Sequence, residues 1–268
     1  MYNLFMIKKY IYTILMLGIF VVFNGCASKE QTLNTASTKT VTPSSSEDSF
    51  LDEFESELAV EKVDDPLESY NRFMTNVNDT IYTYTLIPVA KGYKKFVSKD
   101  VRTSVGNVFS NLKYPIRVVN NLLQGKFENA GIETGRFLIN STVGILGIFD
   151  VAKSRFNLEA KDEDFGQTLG YWGIKSGPHL VLPLLGPSNI RDGISLIPDS
   201  YLNPITYYDD RGINLVNNTY ESIGVKVAEE INKEANLGIY GIVQKDAIDL
   251  YPYLRDAYEQ RREKQIGE

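Results

Sequence analysis

The chain has 268 residues, with 28 Lys and Arg against 34 Asp and Glu, a net charge of −6, one cysteine and one histidine. One cysteine excludes a disulfide scaffold or a thiolate cluster, and His179 alone leaves no ligand set for a zinc or haem site. An acidic chain also lacks the basic footprint that nucleic-acid binding requires, so neither a cofactor nor a nucleic acid is expected.

The N-terminus reads as a targeting segment. Lys8 and Lys9 lie in an n-region without acids, and Ile11–Phe23 is an apolar run of thirteen residues, too short for a comfortable spanning helix. Gly25-Cys26-Ala27 follows within two residues of it. A small residue before a cysteine at this place is what bacterial lipoprotein processing requires, although Phe23 stands where Leu is usual. Residues 1–25 are therefore expected to be removed and Cys26 acylated. Two or three acyl chains, at about 0.8 kcal/mol per buried methylene, form a stable anchor. Without Lys8 and Lys9 the basic count falls to 26 against 34 acids, a net of −8, so surface attraction to anionic lipid cannot supply the attachment. Ala27, where Asp would signal inner-membrane retention in enteric bacteria, favours the outer membrane.

Residues 26–63 form an expected tether, rich in Ser and Thr and then in acids, too polar to bury enough surface to order itself. Phe50, Leu51, Phe54 and Leu58 fall near a helical period, and transient helicity is the expectation for them. A mainly α-helical body is expected over residues 64–262, followed by a short tail at 263–268. Asp65-Pro66-Leu67-Glu68 reads as a helix start, and Leu67, Tyr70, Phe73, Met74, Val77, Ile81 and Tyr84 keep helical spacing. Pro88 is expected to break that helix. Short helical faces follow at Val89–Val97, at Val101–Leu112, and from Pro115 to Gln124-Gly125.

Phe127–Ala152 is the least ordinary stretch, because Phe137–Ala152 carries a single charge, Asp150. Gly131 and Gly135 would permit close approach of a helix or a lipid chain. Two readings stand open: a buried core helix ending in a glycine turn, or a helix–turn–helix, broken at Gly144 and Gly147, with its apolar residues facing lipid. Ser176–Asp192 is turn-rich around a short extended core, since Pro178, Pro183 and Pro187 exclude a continuous helix. Helical patterns resume over Tyr207–Ile231, Ile239–Leu250 and Pro252–Arg262, with Tyr251-Pro252 as a joint. Arg261, Arg262 and Lys264 suit a helix C-terminus.

Several motifs, in order, carry a resemblance that covers nearly all of Asp64–Arg262. They include Asp65-Pro66-Leu67-Glu68 with Asn71-Arg72-Phe73, Pro88-Val89-Ala90-Lys91-Gly92-Tyr93, and Phe109-Ser110-Asn111-Leu112. Leu122-Leu123-Gln124-Gly125, Arg136-Phe137 with Asn140-Ser141-Thr142, Phe165–Gly170, Gly177-Pro178 with Leu182-Pro183, Arg191-Asp192, and Arg255-Asp256-Ala257-Tyr258 complete the set. The chain resembles the MlaA (VacJ) family of outer-membrane lipoproteins, departing from it at His179, where Tyr is common, and in its long acidic tether. The resemblance implies a single ring-like helical domain lying in the periplasmic leaflet, with a polar channel that moves misplaced phospholipid from the outer leaflet. It implies a trimeric porin and a periplasmic lipid carrier as partners. Gly131, Gly135, Arg136, Phe137, Asn140, Gly144, Gly147, Gly177, Pro178 and Pro183 are the candidates for framing the lipid path. Arg102, Arg136 and Arg191 are expected to meet phosphate or to close buried ion pairs.

Two other classes of protein compete with this reading. A lipid hydrolase would use Ser176 or Ser188 with His179 and Asp192, but no G-x-S-x-G elbow is present. A structural lipoprotein would bind a porin or peptidoglycan without moving lipid.

Overall fold

A computed structural model describes residues 65–209 and 214–268. The signal segment, Cys26, the stretch 26–63 with its Phe50–Leu58 pattern, and Ile213 lie outside the described residues.

Helix α1 spans Glu68–Ile81, and the Asp65 carboxylate accepts the Leu67 N–H at 3.1 Å to cap the entering turn. Pro88 does not break the chain here, contrary to expectation. The helix passes through one π-turn, Tyr82–Leu86, and continues as α2, Ile87–Phe96, with Pro88 in its first turn. The Ile87 N–H bonds the Tyr82 carbonyl, five residues back, and this wider turn makes room for a ring that has no N–H to give. Ser98 caps α3, Lys99–Leu112; Pro115 lies in the first turn of α4, Tyr114–Leu123; and α5 spans Phe127–Thr142. Asp150 and Asp164 cap the short α6, Val151–Phe156, and α7, Phe165–Tyr171.

The proline-rich stretch forms an antiparallel hairpin, β1 His179–Leu182 and β2 Gly186–Asn189, with His179 opposite Asn189. Asn189 then caps α8, Ile190–Leu202, which holds Pro198 inside it and had no counterpart in the sequence reading. The helix expected from Tyr207 begins instead at Thr219. There Asn218 accepts the Glu221 N–H at 2.9 Å, and the Glu221 side chain returns to the Asn217 N–H, a reciprocal cap that fixes the start of α9, Thr219–Leu237. Helix α10 is Ile239–Asp246. Tyr251-Pro252 is not a joint but the first turn of α11, Leu250–Gly267, because Asp249 caps that turn.

These elements pack in a closed circuit. The π-turn joins α1 to α2, α2 lies on α9, α9 on α3, and α3 on α4 and α5. Helix α4 lies on α7, α7 on α8, α8 on both strands, and β1 returns to α1. Among the described residues no helix is long and apolar enough to cross a membrane.

Polarity is inverted relative to an ordinary water-soluble domain. The largest fully buried side chains are Glu133, Asn71, Asn120, Asn121, Asn189 and Thr168, whereas several of the buried apolar ones are alanines. Every helix from α1 to α11 exposes at least one large apolar or aromatic side chain, such as Phe73 at 63%. The apolar stripes read from the sequence thus face outward. Scattered exposed apolar residues are normal in water, but a contiguous shell of them is not.

The same inversion decides between the two readings of Phe127–Ala152. Helix α5 buries Ala130, Glu133, Arg136 and Asn140, while Phe127, Leu138, Val143 and Leu146 are exposed. The buried-core reading is therefore overturned. Gly147 sits at φ +90°, where a Cβ would lie 2.6 Å from the Asn111 Cβ, so the turn closes against α3 only with glycine there.

Two asparagines of α1, two turns apart, hold the hairpin. Asn71 donates to the His179 carbonyl at 3.0 Å and accepts the Val181 N–H at 2.8 Å. Asn78 does the same with the Leu182 carbonyl at 2.9 Å and the Leu184 N–H at 2.8 Å. Each amide satisfies a strand edge that would otherwise be left unpaired. Asn71→Ala is expected to cost about 2–3 kcal/mol, and Phe73→Ala, on the exposed face, within about 0.5 kcal/mol. Denaturation midpoints in detergent micelles test this, and a larger loss from the phenylalanine would contradict the inverted core.

Candidate functional site

The first polar cluster arises where α4 and α5 face each other. Arg117, Asn120, Asn121 and Gln124 recur at helical spacing on one, and Glu133, Arg136 and Asn140 on the other. The Glu133 carboxylate, 0% exposed, accepts from Arg117 Nε at 2.6 Å and from the Lys161 N–H at 2.6 Å, with Arg136 Nε 3.8 Å away. Arg136 Nη2 donates to Asp150 at 3.0 Å and Nη1 to the Leu158 carbonyl, while Asn140 bridges Asp150 and the Ala152 N–H, both at 2.9 Å. Burial pushes the Asp150 carboxyl up, but the Asn140 amide, the Lys153 N–H and Arg136 together hold it below its ordinary value.

Beside this cluster a crevice of about 10 Å³, bounded by Asn107, Asn111 and Arg136, has room for about one water molecule. Beyond Arg117 lies a wider cleft of about 450 Å³ between α3 and α9, lined by Lys113, Asp162, Glu229 and Asn232. Arg117 borders both spaces, and its Nε lies 3.7 Å from Asp162.

The second cluster centres on Asp192. Arg262 of α11 clamps Asp164 with both terminal nitrogens, at 2.7 and 2.8 Å, and donates Nε to Asp192 at 2.9 Å. Tyr258 Oη, Arg191 Nε and Asn189 Nδ2 also donate to Asp192, at 2.7, 2.9 and 3.1 Å. Burial opposes the charge of both acids, but Arg262 with its hydrogen bonds at Asp164, and Arg191 with Arg262 at Asp192, hold them below the usual carboxylate range. A Cβ on Gly166 would lie 2.3 Å from Asp192 Oδ1 and 2.5 Å from Arg262 Nη2, so α7 approaches the ion pair only because that residue is glycine. Asp164, Asp192, Tyr258 and Arg262, with Leu182, Leu185 and Pro187, line a space of about 270 Å³.

Asp199 faces the same cavity without a guanidinium of its own. It accepts the Phe165 N–H at 2.9 and 3.2 Å and the Asn120 amide at 3.1 Å. Burial pushes it up to about 6; the Phe165 N–H opposes this and the Asp164 charge adds to it.

Of the residues singled out from the sequence, the structure brings Arg136 and Asn140 into the first cluster. Phe137 stacks on Tyr114 with ring centres 4.4 Å apart. Gly144 and Gly147 shape the turn after α5. Gly131 and Gly135 have open space: a Cβ on either meets no atom within 4 Å, so among the described residues no helix approaches them. Gly177, Pro178 and Pro183 are exposed and do not line the Asp192 cavity. Arg136 and Arg191 close ion pairs as expected; Arg102 closes none among the described residues and donates Nη1 to the Ala235 carbonyl. Arg262, read as a helix-end charge, is instead buried inside α11. His179 meets Glu259 at 2.8 Å rather than Asp192, and packs between Tyr251 and Tyr258, so the hydrolase grouping is not assembled. The sequence reading does not single out Glu133, Arg117, Asp164 or Asp199; for Arg117 and Glu133 the recurrence of Asn and Gln at helical steps beside them is a usable signal.

The chain matches the family model described as MlaA lipoprotein over residues 63–265. An uncharacterized protein of Rickettsia bellii is 34% identical over 207 residues, covering 76% of this chain and 78% of that protein. The Escherichia coli K12 protein named intermembrane phospholipid transport system lipoprotein MlaA is 30% identical over 203 residues, 74% of this chain and 77% of its own. A solved structure described as the "Structural basis for maintenance of bacterial outer membrane lipid asymmetry" aligns with a TM-score of 0.64 at 30% identity, over 76% of this chain and 99% of that one.

Because Asp199 binds its proton more tightly folded than unfolded, its stabilising contribution is full below about pH 4 and is lost as pH rises through about 6. Asp199→Asn keeps the acceptor for Phe165 and should gain about 2 kcal/mol at pH 8, with no gain near pH 4. Thermal melts across that range decide it; a uniform loss at every pH would contradict the assignment.

Proposed function

Given that the chain belongs to the MlaA lipoprotein family, we propose that it moves phospholipid across the outer membrane's periplasmic face along its own polar interior, preserving lipid asymmetry. It is an outer-membrane lipoprotein that acts without catalysis and works with other components of a lipid-transport system. Cys26 carries the acyl anchor, and residues 26–63 link that anchor to the folded body. The trimeric porin and the periplasmic carrier are the partners this reading assigns, the porin holding the ring in its leaflet and the carrier accepting the lipid.

The observation that carries the reading is the inverted polarity. In hydrocarbon the exposed Phe, Leu and Ile side chains cost nothing, whereas in water each would forgo about 1.5–3 kcal/mol of burial. The body therefore lies in one leaflet, its apolar faces against acyl chains and its ion pairs enclosed. A headgroup leaving the bilayer needs polar partners at every step, because an unpaired charge in hydrocarbon costs several kcal/mol. The cleft beside Arg117 offers such partners while the tails stay on the apolar side: Lys113 and Glu229, which pair with each other there, exchange onto phosphate and ammonium, and Asp162 stands open to an ammonium. Direction then follows the carrier's affinity for lipid, and no nucleotide is consumed at this protein.

In a bacterium lacking its own family member, the full-length chain should lower surface-exposed phospholipid several-fold. Cys26→Ser should leave the protein unanchored and inactive, and photocrosslinkers at Lys113 and Asn232 should capture phospholipid. Unchanged surface phospholipid, with capture only of porin or peptidoglycan, would leave a purely structural lipoprotein.

A further inference from the structure

The groove between α2, α9 and α10 belongs to neither polar cluster. It encloses about 450 Å³ over a floor that includes Ile87, Ala90, Ala235 and Ile242, and Lys91, Lys94 and Lys245 stand along its edge. On the other side of α10 is a second space of about 220 Å³, walled mainly by apolar groups including Tyr82, Leu237, Val243 and Leu254. Helix α10 lies between the two and buries none of its own residues. Its ties to α1 and the π-turn run through Tyr240 and Gln244. Asp79 accepts from Tyr240 Oη at 3.0 Å and from Gln244 Nε2 at 2.7 Å, and Gln244 also reaches Thr83 at 2.8 Å. Packed interiors do not leave an apolar helix with empty space on two sides, because its side chains then lack half their dispersion partners.

Charge indicates what fills the space. None of Lys91, Lys94 and Lys245 has an ion pair among the described residues, in a chain whose net charge is −6. Glu234 and Asp246 also line the groove, so three lysines face two acids and the local balance is a single positive charge. That balance suits a singly charged phosphodiester better than a phosphate dianion. Phe96, 86% exposed beside Lys95 at the end of α2, adds the aromatic-and-lysine pairing typical of a membrane's headgroup level.

We propose that this groove holds one anionic phospholipid, its phosphodiester on Lys91, Lys94 and Lys245 and an acyl chain along α10. The lipid is a resident one, distinct from the transported molecule, and it supplies the packing that α10 lacks. The inference rests on the body lying in a leaflet, but not on lipid moving through it.

Native mass spectrometry of the full-length acylated protein in detergent micelles tests it, with phosphatidylglycerol, phosphatidylethanolamine and inorganic phosphate as probes. One phosphatidylglycerol should be retained beyond the covalent acyl groups, with phosphatidylethanolamine held more weakly and millimolar phosphate unable to displace it. The triple variant Lys91→Gln, Lys94→Gln, Lys245→Gln should lose about tenfold or more in retention, while Lys153→Gln with Lys264→Gln, on other surfaces, should lose none. Equal retention in wild type and the triple variant, displacement by phosphate, or displacement by an acidic peptide would each overturn the site. Surface phospholipid in cells is a separate readout, so failure here leaves the transport reading standing.

Discussion

Glu133 is a carboxylate with no exposed surface, in a body whose outer face is largely apolar. Such a charge survives burial only while its partners stay in place, since losing one leaves several kcal/mol of desolvation uncompensated. Its partners come from three places in the chain: Arg117 on α4, the backbone of Lys161 before α7, and Arg136 one turn further along α5. One side chain thus fixes α4 against α5 and ties the loop after α6 to both. The cluster around Asp192 has the same logic on the other arc of the circuit, where Arg262 fastens α11 to α7 and α8.

This division of labour follows from the solvent on each side. Apolar burial cannot hold together helices whose outer surroundings are themselves apolar, so cohesion passes to hydrogen bonds and ion pairs. Asn71 and Asn78 illustrate the consequence. In water a helix would dock on a hairpin through Leu or Val, whereas here α1 uses two amides matched to the peptide groups of β1 and the turn that follows. Close approach is then set by glycines such as Gly166 and Gly147, each standing where a Cβ would strike a polar partner.

Helix content was legible from the sequence because spacing reports helices whichever face is solvated. The orientation of those helices was not, since a stripe of Phe73, Ile81 and Tyr84 reads alike for a core and for a lipid-facing surface. The opposite faces carried the answer: Asn71, Thr75 and Asn78 on α1, or Glu133, Arg136 and Asn140 on α5, are too regular for solvated residues. Boundaries failed where a side chain overrode propensity. Asn218 and Asp249 moved helix starts by capping, and the π-turn at Tyr82–Leu86 carried the chain past Pro88. Distant pairings such as Arg262 with Asp164 lie 98 positions apart and leave no local trace.

The conduit proposed above would also have to avoid being a leak. Glu133 and Asp192 have guanidinium partners, so neither cluster offers a bare charge to an entering headgroup. The carboxylate without a guanidinium partner is Asp199; burial pushes it up to about 6, and the Phe165 N–H and the Asn120 amide hold the charge it carries at neutral pH. The wider cleft by Arg117 is different, because Asp162 there is 76% exposed and only 3.7 Å from the guanidinium. A zwitterion can exchange with a loose pair of that kind at little net cost, replacing one contact by another, whereas it cannot compete with the clamp on Asp164. The clamps on Glu133 and Asp164 thus belong to the frame, and the open pair of Arg117 with Asp162 is where the proposed route would exchange contacts, a difference of solvent access rather than residue type.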